Sequence, residues 1–156
     1  TGNEGIIRKG DVQIMSAGTG IRHSEYNASS SAFAKLLQIW VFPKRKDIKP
    51  VYGQKSFDLK ERRNKWQVVV SPDTADLGLN INQDARFSLV DLEAGKSISY
   101  QMKWKNTGLY LFVIEGEIKV GNQPLLRRDA LGISETENVV IEAGSDAQVL
   151  AIEIPI

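Results

Sequence analysis

From residue 66 to the C-terminus, short apolar runs and turn-forming residues alternate so closely that an all-β fold is the architecture that accommodates them. The runs cover residues 66–70, 79–81, 87–92, 98–102, 109–114, 117–120, 130–133, 139–141 and 147–154, and β-branched residues dominate them. Between them stand Pro72-Asp73, Ala94-Gly95, Glu115-Gly116, Gly121-Asn122 and Ala143-Gly144, which set tight or left-handed turns. In the last run Leu150, Ile152 and Ile154 share one face, which Gln148 extends, while Val149, Ala151 and Glu153 take the other. Many short strands at this spacing describe a sandwich or a barrel.

The first part of the chain is thinner in such signals. A strand is expected around Val12 and Ile14, and a nearly continuous apolar one over residues 36–42. Residues 30–37 could form a single helical turn, but no lasting helix is expected anywhere. Residues 43–65 change character: Pro43, Pro50, six Lys or Arg between Lys44 and Lys60, and Glu61-Arg62-Arg63-Asn64 read as a polar connection. It holds at most one short strand, over residues 52–57. The chain therefore divides into residues 1–42, a connection 43–65, and a C-terminal domain 66–156. The last is long enough to close a small barrel and the first is not. Together with a first residue that is not Met, this leads us to expect residues 1–42 to be the remaining part of a barrel whose leading portion is absent.

Composition excludes several classes of function. Lys plus Arg number 20 against 19 Asp plus Glu, a net charge of +1, so no broad basic field exists for nucleic acid or a membrane surface. The local basic runs at residues 44–46 and 62–63 read as solvated loop charge. The absence of cysteine removes disulfides, thiolate metal sites and cysteine nucleophiles, and suits a cytoplasmic location. No apolar run approaches the ~20 residues of a membrane-spanning helix.

The chain has one histidine, His23, in the stretch from Gly10 to Asn27. Gly18 and Gly20 permit a tight turn before it, and in an extended segment His23 and Glu25 would project from one face. An imidazole beside a carboxylate is half of a first-row transition-metal site. The same pair also reads as an ordinary surface or hydrogen-bonded pair, and the spacing alone does not choose between them. Ser24 has no second histidine to serve as its base, so a nucleophilic triad is unsupported. Trp40, Trp66 and Trp104 read as core or interface aromatics, and Asp129, Glu135 and Glu137 as rim charge.

The whole stretch is more specific than the pair. Gly10, Gly18, His23 and Asn27 resemble the second cupin motif, with Ser16 where many cupins carry Pro and two extra residues before the histidine. The version Gln-Ile-Met-Ser-Ala-Gly-x-Gly-x-x-His-Ser-Glu resembles the pirin family of bicupins. Leu37-Gln38-Ile39-Trp40-Val41-Phe42-Pro43, Ser71-Pro72-Asp73 and Gln83-Asp84 extend the likeness over essentially the whole chain. The resemblance implies cupin-type antiparallel β-barrels, one incomplete N-terminal and one complete C-terminal. It also implies an N-terminal metal site of three His and one Glu, in which His23 and Glu25 are metal ligands. The other two ligands come from an earlier His-x-His motif that these residues do not contain. In the second barrel, Lys103 and Lys105 occupy the region of that motif and residues 128–135 also lack histidine, so it is expected to be metal-free.

For the intact parent the resemblance implies Fe2+ or another divalent transition metal and a quercetin 2,3-dioxygenase-type reaction on a flavonol-like small molecule. Glu25 would be both ligand and catalytic base. The alternative is a non-enzymatic, metal- or redox-sensitive regulator that binds transcription factors or metabolic enzymes. For the chain alone we expect inactivity, little retained metal, and association through residues 1–42 with another copy or with the missing N-terminal segment.

Overall fold

The computed structural model describes residues 4–156. An antiparallel hairpin opens the fold, β1 (Asp11–Ser16) pairing with β2 (Val51–Ser56) in the register Asp11 to Ser56 through Ser16 to Val51. The predicted connection thus supplies the partner of the first strand. A 3-10 turn at Leu59–Arg62 follows, and its start is held by the Asp58 side chain, which accepts from the Lys60 amide. It delivers Arg62, almost wholly buried, to the Asp91 carboxylate at 2.9 Å.

Ten strands then form two sheets. They are β3 (Gln67–Ser71), β4 (Leu79–Asn80), β5 (Arg86–Leu92), β6 (Ser97–Gln101), β7 (Thr107–Glu115), β8 (Ile118–Val120), β9 (Gln123–Leu125), β10 (Ala130–Ile133), β11 (Asn138–Ala143) and β12 (Ala147–Pro155). One sheet runs β10-β7-β12-β5-β3-β4 and the other β6-β11-β8-β9, antiparallel except for β3 beside β4. Their facing sides bury Val90, Leu92, Tyr100, Leu109, Leu111, Val113, Ile118, Ile141 and Val149, the interior of the C-terminal barrel. In β12, Val149, Ala151 and Glu153 face this interior, the alternation expected from the sequence.

The outer face of the six-stranded sheet carries a second apolar layer. Val69, Val70, Phe87, Leu150 and Ile152 are buried there against Val12 and Ile14 of the hairpin, Val41, Phe57 and Leu79. The N-terminal hairpin is thereby seated on the barrel's flank.

Two expectations are corrected. Residues 36–42 are not a strand: among the described residues no neighbour offers them a backbone ladder, and a strand without a partner leaves its amides unpaired. They are held instead by Val41, packed in the outer layer, and by the Phe42 carbonyl, which accepts from Gln83 Nε2 at 2.7 Å. Conversely, β9 had no sequence signal because Pro124 interrupts it. It is the edge strand of its sheet, where a residue without an amide donor costs least.

Candidate metal centre

The turn that leads to the predicted ligands is built for glycine. Gly18 has φ +51°, and a Cβ there would lie 2.0 Å from the Ile48 carbonyl oxygen. The Thr19 amide donates to that same carbonyl at 3.2 Å, and the Gly20 amide closes on Ala17 at 2.8 Å. Strand β1 is thus pinned to residue 48 just before the chain turns toward His23. Asn27, the last motif residue, folds the next loop, donating to the Ala32 carbonyl at 2.7 Å and accepting from the Ser29 amide at 3.1 Å.

His23 and Glu25 lie between these two anchored points, and both side chains are exposed to solvent. Their segment is not a strand and does not line a barrel, so the expectation that both project inward from one strand face is not met. The cause is the same as for residues 36–42: β1 has one neighbour, β2, and nothing among the described residues continues that sheet.

Imidazole nitrogen and carboxylate oxygen suit a borderline first-row ion, so both donors fit part of such a site. The set is incomplete. His23 is the sole histidine of the 156 residues, and among the described residues no three His, Cys, Asp or Glu side chains converge. An ion held by two protein donors keeps most of its water and is bound weakly.

The second barrel fills the corresponding region differently, in a way the sequence reading missed. Glu153, fully buried, accepts from the backbone amides of Lys103 at 3.0 Å and Trp104 at 2.9 Å, from Thr107 Oγ1 at 2.9 Å and from the Tyr100 hydroxyl at 3.2 Å. Burial, reinforced by the Glu153 charge, pushes the Tyr100 phenol up to about 12, so it stays a donor. The one available signal was a carboxylate on the inward face of an otherwise apolar strand. Trp66 closes this end, edge-on to Tyr100 at 5.2 Å, its indole N–H donating to the Ser99 carbonyl. The Lys103 ammonium points outward to Asp73 and Asp76.

Around the His23 segment, large apolar side chains stand in water: Tyr26 is 87% exposed, Phe33 96%, Trp40 90% and Phe42 92%. Four large aromatic side chains this exposed within residues 26–42 are unusual for a surface that stays free.

The family of this chain follows from its relatives. Residues 68–154 match the model of the quercetinase C-terminal cupin domain, and residues 1–41 match the pirin model. The chain belongs to the pirin family. A Zymomonas mobilis protein named "putative quercetin 2,3-dioxygenase" is 40% identical over 152 residues, which is 97% of this chain and 64% of that protein. The quercetin 2,3-dioxygenase of Escherichia coli K12 is 35% identical over 154 residues, 99% of this chain and 65% of its own length. In structure, the E. coli pirin YhhW in complex with nickel(II) superposes with a TM-score of 0.82 at 33% identity, over 94% of this chain and 62% of that one. This pirin chain thus spans less than two thirds of the length of the relatives it matches, and its C-terminal barrel is a cupin.

Proposed function

We propose that this pirin chain belongs to a metal-dependent oxidoreductase of the quercetin 2,3-dioxygenase type, with His23 and Glu25 as two of the metal's protein ligands. The observation that carries the reading is local. The only histidine stands two residues before a glutamate, both solvent-accessible, beyond a turn that only glycine can form. The 35% identity to the E. coli dioxygenase over 154 residues supports it. The remaining donors come from polypeptide outside these 156 residues. When bound, a divalent ion such as Fe2+ would act as a Lewis acid toward the oxygens of a flavonol-like substrate. In this reading Glu25 would take the proton of the substrate hydroxyl, and His23 would hold the ion.

The exposed apolar side chains at Tyr26, Phe33, Trp40 and Phe42 favour a second element of the reading. Each aromatic offers on the order of 150–250 Å², so together they approach the ~800 Å² per partner of an ordinary interface. We infer that residues 1–42 associate with further polypeptide, and that the chain by itself is inactive. The same surface would serve a metal-sensitive regulator contacting other proteins, so the test must separate the two.

Oxygen uptake with a flavonol panel, measured on the whole gene product and on its His23→Ala and Glu25→Gln forms, separates them. Uptake that both substitutions abolish supports the dioxygenase. Uptake equal in all three forms, or no uptake with any flavonol by a metal-loaded protein, defeats it. Light scattering of the 156-residue chain should give a mass above that of one copy, and a clean monomer would contradict the association.

A further inference from the structure

Lys103 is the only lysine of the region between β6 and β7 that is fixed at both ends. Its backbone amide is tied to the buried Glu153 carboxylate, and its ammonium lies 2.7 Å from Asp73 Oδ2 and 3.0 Å from Asp76 Oδ2. Only about a quarter of its side chain meets solvent, and Asp76 is less exposed still. Asp76 also accepts from Ser71 Oγ at 2.6 Å and faces Arg86 Nε at 3.4 Å. The Asp73 carboxyl is held below its usual range by the Lys103 hydrogen bond and the Ala75 amide. For Asp76, burial acts upward, but the Ser71 and Lys103 hydrogen bonds and the Arg86 charge outweigh it.

What this cluster fixes is the loop between β3 and β4. The Asp73 amide donates to Ser71 Oγ, the Ala75 amide to Asp73 Oδ1 and the Asp76 amide to the Asp73 carbonyl, so the loop is one closed turn hung from Lys103. The loop runs directly into the seat of the N-terminal hairpin. The Leu77 carbonyl accepts from Lys55 Nζ of β2. Gly78 passes so close to β3 that a Cβ would lie 2.9 Å from the Val69 carbonyl carbon. Leu79 then packs where Gly53 of β2 leaves room, a Cβ there lying 3.3 Å from Leu79 Cδ2.

We propose that Lys103 is an interdomain latch. In the barrel that carries no histidine, it locks the loop of residues 72–78 through Asp73 and Asp76, and that loop docks the β1–β2 hairpin. The cluster contains partly buried charge-assisted bonds to one cation, so removing the ammonium leaves two carboxylates and Arg86 to rearrange. The loop would then detach locally while the barrel core, which does not depend on it, stays folded. Because β1 leads through the Gly18–Gly20 turn to His23, the latch also positions the segment proposed to hold metal. That last step rests on the metal reading; the latch itself does not.

Amide hydrogen exchange on the chain tests it without any metal. In Lys103→Met, amides of residues 11–16 and 51–56 should exchange at least ten times faster than in the unsubstituted protein. Those of β7 and β12 should stay within a factor of two. Lys103→Arg, which keeps the charge, should restore hairpin protection to within a factor of three, and the milder Asp73→Asn should give a partial effect in the same residues. Unchanged hairpin exchange in Lys103→Met overturns the latch, as does uniform acceleration across hairpin and barrel. Failure of Lys103→Arg to restore protection also overturns it, since bulk and not charge would then be at work.

Discussion

Replacing Glu153 tests whether a buried carboxylate organises the C-terminal barrel. Its oxygens serve two backbone amides, Lys103 and Trp104, and two hydroxyls, Thr107 and Tyr100. In Glu153→Leu the Thr107 hydroxyl retains an acceptor, the Trp104 carbonyl at 3.0 Å, and Tyr100 retains polar neighbours in Arg86 and Ser88. The two amides retain none. Each orphaned donor costs about 1–3 kcal/mol, and because the Lys103–Trp104 backbone is only partly buried, about 2–4 kcal/mol in total is expected. Glu153→Gln keeps an acceptor oxygen for the amides but loses the charge. A charged bond exceeds a neutral one by about 1 kcal/mol, giving a loss of about 1–3 kcal/mol. Urea unfolding followed by tryptophan fluorescence measures both, with an unchanged m-value showing that the unfolding reaction is the same. The expected order is Glu153→Leu below Glu153→Gln below the unsubstituted protein. If both variants fall within about 0.5 kcal/mol of it, the range of a bland surface change, the carboxylate does not hold the barrel together.

Burial raises the Tyr100 phenol from its ordinary 10.0 to about 12. A proton held more tightly in the folded state stabilises it fully below pH 10 and is lost as pH rises through 12, so stability should fall by about 2–3 kcal/mol across that window. A flat profile in Tyr100→Phe against a falling one in the unsubstituted protein checks the assignment. Asp73 and Asp76, both lowered from 3.8, act with the opposite sign. Their contribution is present above pH 4 and lost in more acidic solution, where the hairpin should lose exchange protection before the barrel. Gly116→Ala should destabilise far more than Gly121→Ala, by thermal unfolding. Both have positive φ, costing about 1–2 kcal/mol, but at Gly116 the new Cβ would meet the Asp146 oxygen at 2.2 Å whereas at Gly121 it meets nothing within 4 Å.

The C-terminal barrel was legible because each of its strands pairs within the chain, so alternation and turn residues map onto the sheets. Strand β12 kept Val149, Ala151 and Glu153 on one face as its alternation prescribes, and the structure turns that face inward. Legibility failed where a local signal depends on something distant. The apolar run at residues 36–42 has strand composition, yet no described strand offers it hydrogen bonds. Strand β9 has poor strand composition, yet its place at a sheet edge tolerates Pro124. The His23–Glu25 pair was visible through its glycine turn, and Gly18 is forced by the Ile48 carbonyl as that pattern demands. The inward projection of the pair was not attained, since a strand face exists only within a sheet. The roles of Glu153 and the Lys103 cluster were missed because their partners lie 46 to 53 and 27 to 30 residues away in sequence.

The central claim, that His23 anchors the metal of this pirin, is tested most directly by counting metal. Elemental analysis after exhaustive dialysis should find one divalent transition ion per molecule of the whole gene product, and essentially none in its His23→Ala form. The 156-residue chain alone, with two donors, should retain well below one. A His23→Ala protein that still carries a full equivalent would contradict the account.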